Sequence, residues 1–305
     1  MGTMPLGLAC AALAYILWGL FPLYFHHIAQ VDPFEVILHR STWSLVLVWG
    51  VLLALRRTAW LGPVARDARQ LGRFLVSALL LTTNWTMYVW AVNNGHVLEA
   101  SLGYFINPLV NVALGAWALH ERPRPLQWAA LAVAAAGVLW LTVSAGRPPW
   151  IALVLALSFG LYGLMRKTAK LGALEGLAIE TLVLAPIAVP ALAWVTATGT
   201  GALAHADAPL VGWLLFSGPL TAAPLLLFAI GARRLTLATM GVMQYLSPTL
   251  QFALGHWWFG EPLDPGRLAG FAMIWAALAI YTGEGIWRIR RASLPLAPTA
   301  PAPRH

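Results

Sequence analysis

SLGYFINPLVNVALGAWALHERPRPLQWAALAVAAAGVLWLT, residues Ser101 to Thr142, returns 140 positions later as GVMQYLSPTLQFALGHWWFGEPLDPGRLAGFAMIWAALAIYT, residues Gly241 to Thr282. Pro108, Ala113, Leu114, Gly115, Trp117, Glu121, Pro125, Ala129, Ala136 and Thr142 match Pro248, Ala253, Leu254, Gly255, Trp257, Glu261, Pro265, Ala269, Ala276 and Thr282. The chain therefore reads as two copies of one unit, and the composition says where they reside. Hydrophobic residues are 60% of the 305 positions and charged ones 10%, against roughly 25% charged in an ordinary soluble domain. That is the composition of a membrane protein.

A hydrocarbon core about 30 Å thick takes roughly 20 apolar residues per helix. The chain divides into ten such segments, predicted at 5–25, 34–55, 72–92, 97–119, 125–145, 149–168, 173–197, 209–231, 236–259 and 266–287. The predicted fold is all-α, ten transmembrane helices in two five-helix repeats, 5–145 and 149–287, with a disordered cytoplasmic tail from 288 to 305 carrying Pro295, Pro298, Pro301 and Pro303. An odd number of spans per repeat turns the second copy upside down. Two oppositely oriented copies have near-equivalent packings that expose one midplane site to either side, the architecture of alternating access.

The formal net charge of +8 is a topology signal rather than a nucleic-acid footprint. Arg56, Arg57, Arg66, Arg69, Arg73, Arg122, Arg124, Arg166, Lys167, Lys170, Arg233, Arg234, Arg288, Arg290, Arg291 and Arg304 fall on one side of the predicted spans; Arg147 and Arg267 fall on the other, and Arg40 lies inside a helix. The positive-inside rule then places both termini in the cytoplasm. The first segment lacks a basic leader region and a clear small-residue cleavage site, and is read as a retained helix. Cys10 stands alone, so no intramolecular disulfide forms.

The candidate site residues are polar groups placed where hydrocarbon makes them costly. Predicted helix 4 carries Glu99, Gly103, Asn107 and Asn111 at a spacing of four, one slowly drifting stripe, and Tyr104 beside it. The second copy answers with Gln244, Ser247 and Gln251. Pro108 and Pro248 interrupt these two helices, each removing a backbone donor and freeing the carbonyl four residues before it. Breaks at matched places in the two halves point to a midplane site; ordinary proline kinks are the alternative. Asn84 adds an amide in helix 3, and Trp18 and Tyr162 occupy corresponding places at a shift of 144. Aromatic side chains of this kind suit a cavity wall. Packing glue, with each interhelical hydrogen bond worth about 0.6 kcal/mol, explains the same amides differently.

Asp32, Pro33, Phe34, Glu35 has the form of a helix start, with Asp32 as N-cap. Glu35 and His39 lie four residues apart and are candidates for proton coupling or an ion pair. Arg40 lies roughly 10 Å past that start and needs a partner at such depth; the repeat offset pairs it with Glu180, so the expectations are a bridge from Arg40 to Glu180 or a substrate contact. Trp60, Trp150, Trp257, Trp258 and Trp287 sit at predicted helix ends, where indoles favour the headgroup level. His120 and Glu121 are not followed by a second histidine at zinc-protease spacing, and neither a metal nor a cofactor is expected.

These residues resemble the EamA branch of the drug/metabolite transporter superfamily, and within it the RarD subgroup. The likeness is carried by Trp18 and Gly19, by Glu35, His39, Arg40 and Trp43, by Asn84 and Trp85, and by the run AVNNGHVLEASLGYFINPLVNV from Ala91 to Val112. Tyr162 and Gly163, Glu180, Pro186, Gln244, Tyr245, Pro248, Thr249, Gly260, Glu261 and Trp275 carry it in the second half. The resemblance implies ten helices as two inverted repeats, a bacterial inner membrane, and export or exchange of small metabolites or drugs through a central cavity. The expected partners are a small-molecule substrate, the lipid bilayer and a proton, with no nucleic acid. The competing readings are a non-transporting membrane scaffold or accessory protein and a membrane-embedded enzyme; the absence of a P-loop argues against an ATP-driven pump.

Overall fold

A computed structural model of the chain describes residues 3–94, 96–145, 150–260 and 265–292. Its regular structure, among the described residues, is helical: α1 (Thr3–Gly19), α2 (Phe21–His27), α3 (Pro33–Ala54), α4 (Leu61–Ala65), α5 (Ala68–Asn93), α6 (Val97–Ala118), α7 (Pro125–Ala145), α8 (Trp150–Thr168), α9 (Ala173–Ala197), α10 (Ala208–Ala232), α11 (Leu237–Gln244), α12 (Leu246–Trp257) and α13 (Pro265–Ala292), with a 3-10 turn at Ala202–Ala204. The helices α9, α10, α11 and α13 begin 140 positions after α3, α5, α6 and α7 respectively. Helix starts are set locally, so a shared offset goes with shared start chemistry in two of the pairs: α7 and α13 both begin at a proline, Pro125 and Pro265, and Asp67 and Asp207 cap α5 and α10, accepting from the amides of Gln70 and Leu210 at 3.0 Å. Asp32 caps α3 as expected, accepting from the amides of Phe34 and Glu35 at 2.9 and 3.3 Å.

Among the described residues, seven helical segments are long and apolar enough to cross a membrane: Met4–His27, Pro33–Ala54, Ala68–Ala91, Pro125–Val143, Trp150–Thr168, Ala173–Ala197 and Ala208–Ala232. These correspond to seven of the ten predicted spans. The other three are helical too. Among the described residues, apolar runs cover Leu102–Ala118 of α6 and Leu268–Tyr281 of α13, and the predicted span 236–259 is two helices, α11 and α12. Helix α13 continues through Ala292, past position 288 where the tail was expected to begin; 293–305 lie outside the described residues, as do Arg147, Glu261 and the side chain of Glu99.

Two breaks matter for the site, and both follow from proline. Pro22 has no amide hydrogen for the carbonyl of Trp18, and the chain turns between α1 and α2 there; that freed carbonyl accepts instead from Gln251 Nε2 at 3.2 Å. Pro248 likewise cannot bond the carbonyl of Gln244, the last residue of α11, and Tyr245 becomes the joint between α11 and α12. Pro108 is tolerated within a continuous α6.

The two halves of the chain pack mainly on each other rather than each on itself. Helix α6 lies against α8, α7 against α13, α3 against both α9 and α10, α1 against α10, and α5 against α8. The central core gathers Tyr15 of α1, Tyr162 of α8, Phe228 of α10 and Met240 of α11, all at most 1% exposed. Lipid-facing side chains are correspondingly apolar: Leu53 and Ile187 are 61% and 73% exposed, which costs nothing in hydrocarbon. Close approach sets the spacing at α3 and α10, where a Cβ on Gly218 would stand 2.6 Å from the backbone of Trp43.

Candidate functional site

A cavity of about 150 Å³ lies between α1, α2, α3, α5, α6, α8, α10, α11 and α12. It sits toward the end of the bundle where α3, α6 and α8 begin: Ile37 and Arg40 come from the first half of α3, Tyr104 and Asn107 from the first half of α6, and Leu155 and Phe159 from the first half of α8. Eight residues singled out from sequence line it, namely Trp18, Arg40, Asn84, Tyr104, Asn107, Gln244, Ser247 and Gln251. Tyr15, on the same face of α1 as Trp18, and Tyr88, on the polar stretch of α5 with Asn84, also line it, as do Phe21 and Phe159, which sequence reasoning missed; Tyr88 and Tyr104 lie with ring centroids 6.0 Å apart. The helical stripe was the signal for the polar residues, and no comparable signal distinguishes a cavity aromatic from a core one.

Two of the predicted substrate-contact residues stand elsewhere. Asn111 is buried behind the cavity, donating through Nδ2 to Gln244 Oε1 at 3.2 Å. Tyr162 is fully buried, stacked on Phe228 with centroids 5.9 Å apart, and donates to Glu180 Oε2 at 3.4 Å. It does not line the cavity because Phe159 and Phe228 fill the space between.

The polar wall divides into groups with partners and groups without. Asn84 Nδ2 donates to the carbonyl of Leu155 at 2.9 Å and to Ser158 Oγ at 3.1 Å. Ser247 Oγ donates to the carbonyl of Tyr15 at 2.6 Å. The Tyr15 hydroxyl and Asn107 Oδ1 are buried without a hydrogen-bond partner among the described residues. Arg40 donates through Nε to Thr221 Oγ1 at 2.9 Å, and its guanidinium carbon stands 4.7 Å from the ring centre of Trp85 and 5.5 Å from that of Phe21.

The expected bridge from Arg40 to Glu180 does not form. Arg40 turns from α3 toward α10 and the cavity, whereas Glu180 points from α9 toward α5 and α8, where it meets Arg166 at 3.4 Å and accepts from Ser77 Oγ at 2.5 Å. Arg166 is 2% exposed, so it is no basic loop residue and drops out of the charge count at its end of the bundle. Glu35 and His39 are both buried, with Oε1 and Nε2 3.5 Å apart. Glu35 also accepts from the amide of Ala202, and His39 Nδ1 accepts from Trp43 Nε1 at 3.0 Å. That second bond requires an unprotonated Nδ1, so the ring is in its Nε2–H form.

At the opposite end of the bundle the two halves are joined by Glu121. Its carboxylate accepts from the amides of Leu237 and Ala238, the first residues of α11, at 3.0 and 3.3 Å, and stands 3.4 Å from Lys167 Nζ. Lys167 donates in turn to the carbonyls of Ala232 and Leu235.

The model of the EamA-like transporter family matches the chain twice, over residues 5–143 and 148–283. This chain belongs to the EamA-like transporter family. An uncharacterized transporter of Pseudomonas aeruginosa is 44% identical over 289 residues, covering 95% of this chain and 97% of its own. Protein RarD of Streptomyces exfoliatus is 44% identical over 288 residues, covering 94% of this chain and 91% of its own. A solved crystal structure at 18% identity superposes with a TM-score of 0.69 over 92% of this chain and 98% of its own, a likeness of fold alone. With its apolar helices, the family membership makes this EamA-like chain a multi-pass membrane protein whose relatives include RarD proteins and proteins named as transporters.

Proposed function

We propose that the chain is a secondary carrier that moves a small organic solute across a bacterial inner membrane by alternating access, with both termini in the cytoplasm. The proposal takes α1 with α2, and α11 with α12, as single interrupted spans, giving ten helices in two inverted repeats. The helix starts at a common offset and the double match of the family model support that reading. The cavity is the substrate site, and the observation that carries this is its polar wall: Asn107 and Gln244 come from matched helices of the two halves, and Asn107 Oδ1 is buried with no partner. A buried acceptor left unpaired costs about 1–3 kcal/mol, which a bound donor would relieve. A proton is the coupling ion of this proposal, with Glu35 and His39 as its carriers.

A scaffold is the second reading, favoured by one observation: Asn84, Ser247 and Gln251 direct donors at carbonyls of neighbouring helices, as packing residues do. A thermal-shift screen of the purified protein against amino acids, nucleosides, sugars, organic acids and antibiotics separates the two. Carrier function predicts concentration-dependent stabilisation by one class, lost in Asn107→Ala and Gln244→Ala while both remain folded, and flux of that class into proteoliposomes. Stabilisation by no class, with both variants merely less stable, would favour the scaffold.

A further inference from the structure

We infer that the substrate carries an anionic group, a carboxylate in the first instance, held by Arg40, with an apolar body lying on the aromatic wall of the cavity. The inference rests on the carrier reading for the word substrate, but its test reads binding alone.

Arg40 is the charged residue of the cavity wall, and no acidic side chain lines the wall among the described residues. The described carboxylates nearest in chain or packing are engaged elsewhere: Glu35 with the amide of Ala202, Glu175 with Arg57, and Glu180 with Arg166. The guanidinium is held in place by neutral groups. Thr221 takes Nε, and the guanidinium carbon lies over the rings of Trp85 and Phe21. An aromatic ring attracts a cation without cancelling its charge, and a threonine hydroxyl supplies one acceptor. The two terminal nitrogens have no acceptor on a described residue. A guanidinium cannot lose its proton to escape a poorly hydrated site, so the cavity wall carries a positive charge with a pair of donors. The ligand group that matches two parallel N–H donors is a carboxylate or another planar or tetrahedral oxyanion.

The remainder of the wall sets the rest of the ligand. Trp18 and Phe159, with ring centres 5.6 Å apart, line the cavity together with Tyr15. The cavity volume of about 150 Å³ is that of a void that admits one benzene-sized group. A cationic substrate would meet Arg40 with no counter-charge, and a neutral one would leave the guanidinium unpaired.

The test uses three probes of one shape and three charges: phenylacetate, phenylacetamide and phenethylammonium. Isothermal titration of the detergent-purified full chain is expected to give binding of phenylacetate about ten- to a hundredfold tighter than of phenylacetamide, the difference made by charge assistance in the hydrogen bonds, and no binding of phenethylammonium. Arg40→Gln is expected to erase the preference for the anion, and Arg40→Lys, which keeps the charge without the paired donors, to retain part of it. Equal binding of the amide and the carboxylate, preference for the cation, no binding of any probe, or an anion preference that survives in a folded Arg40→Gln would each overturn the inference. If Arg40→Gln does not fold, the comparison of the three probes on the unsubstituted protein decides. Arg40-dependent anion binding without flux into proteoliposomes would leave the inference standing and remove the carrier reading. Flux of neutral solutes unchanged by Arg40→Gln would do the reverse.

Discussion

Replacing Arg166 by Met should destabilise the protein far more than removing both Arg166 and the charge of its partner. The side chains of Arg166 and Glu180 are 2% and 1% exposed, with Nη1 and Oε1 3.4 Å apart. Around them, Ser77 and Tyr162 donate to the carboxylate, and Arg166 Nη2 donates to the carbonyl of Ala173 at 2.9 Å. Taking one partner from a buried ion pair costs about 3–5 kcal/mol, because the other charge stays buried without compensation. Glu180→Gln should be the worse single change: a lone carboxylate can bind a proton, whereas a lone guanidinium stays charged. In the double variant Arg166→Met with Glu180→Gln, the glutamine Oε1 accepts from Ser77 while its Nε2 donates to the Tyr162 hydroxyl oxygen, the methionine fills the arginine stem, and the main loss is the bond to Ala173, about 1 kcal/mol. The double variant is therefore expected to be more stable than either single one, with a coupling of several kcal/mol in a double-mutant cycle. Reversible unfolding of the detergent-solubilised protein by dodecyl sulfate measures all four states. Additive costs, or a single substitution costing under about 1 kcal/mol, would refute the reasoning; the latter is the value expected of an exposed pair.

Glu121→Ala leaves the first amides of α11 without their acceptor and should lower stability by about 1–2 kcal/mol. Gly115→Ala would place a methyl 2.5 Å from Glu121 Oε2 and should reproduce that loss by displacing the carboxylate; unchanged melting temperatures for both variants would dissociate Glu121 from the joint. For proton coupling, uptake in proteoliposomes is expected to respond to an imposed pH gradient in the unsubstituted protein and to lose that response in His39→Gln, with ligand binding retained. The physical link is the bond from Trp43 to His39 Nδ1, which a second ring proton would break while adding a charge 3.5 Å from Glu35. Uptake indifferent to the gradient in the unsubstituted protein would remove the proton from the proposal.

Why sequence located one part of the site and misplaced another follows from what a repeat offset means. Apolar runs and prolines determine helix starts locally, so the helical order was legible, as was the stripe that carries Asn107 on α6 and Gln244 and Ser247 on α11 and α12. An offset of 140 names equivalent positions, however, and equivalents touch only close to the axis that would relate two inverted units. Phe105 and Tyr245 are such a pair: the tyrosine hydroxyl donates to the phenylalanine carbonyl at 3.2 Å. Near that contact, both members of the equivalent pairs Tyr104 with Gln244 and Asn107 with Ser247 line the cavity. Arg40 and Glu180 have the same offset but lie away from that contact, and their side chains diverge, one to Thr221 and the cavity, the other to Arg166. The true partner of Glu180 is only 14 positions before it, hidden because Arg166 heads a basic run, with Lys167 and Lys170, that reads as a solvated helix end. In a duplicated membrane chain of this kind, matched polar residues near the contact between the two proline-containing segments, α6 and α11 with α12, are thus the ones that sequence can assign to a shared cavity. Charged residues farther out need the tertiary packing to find their partners.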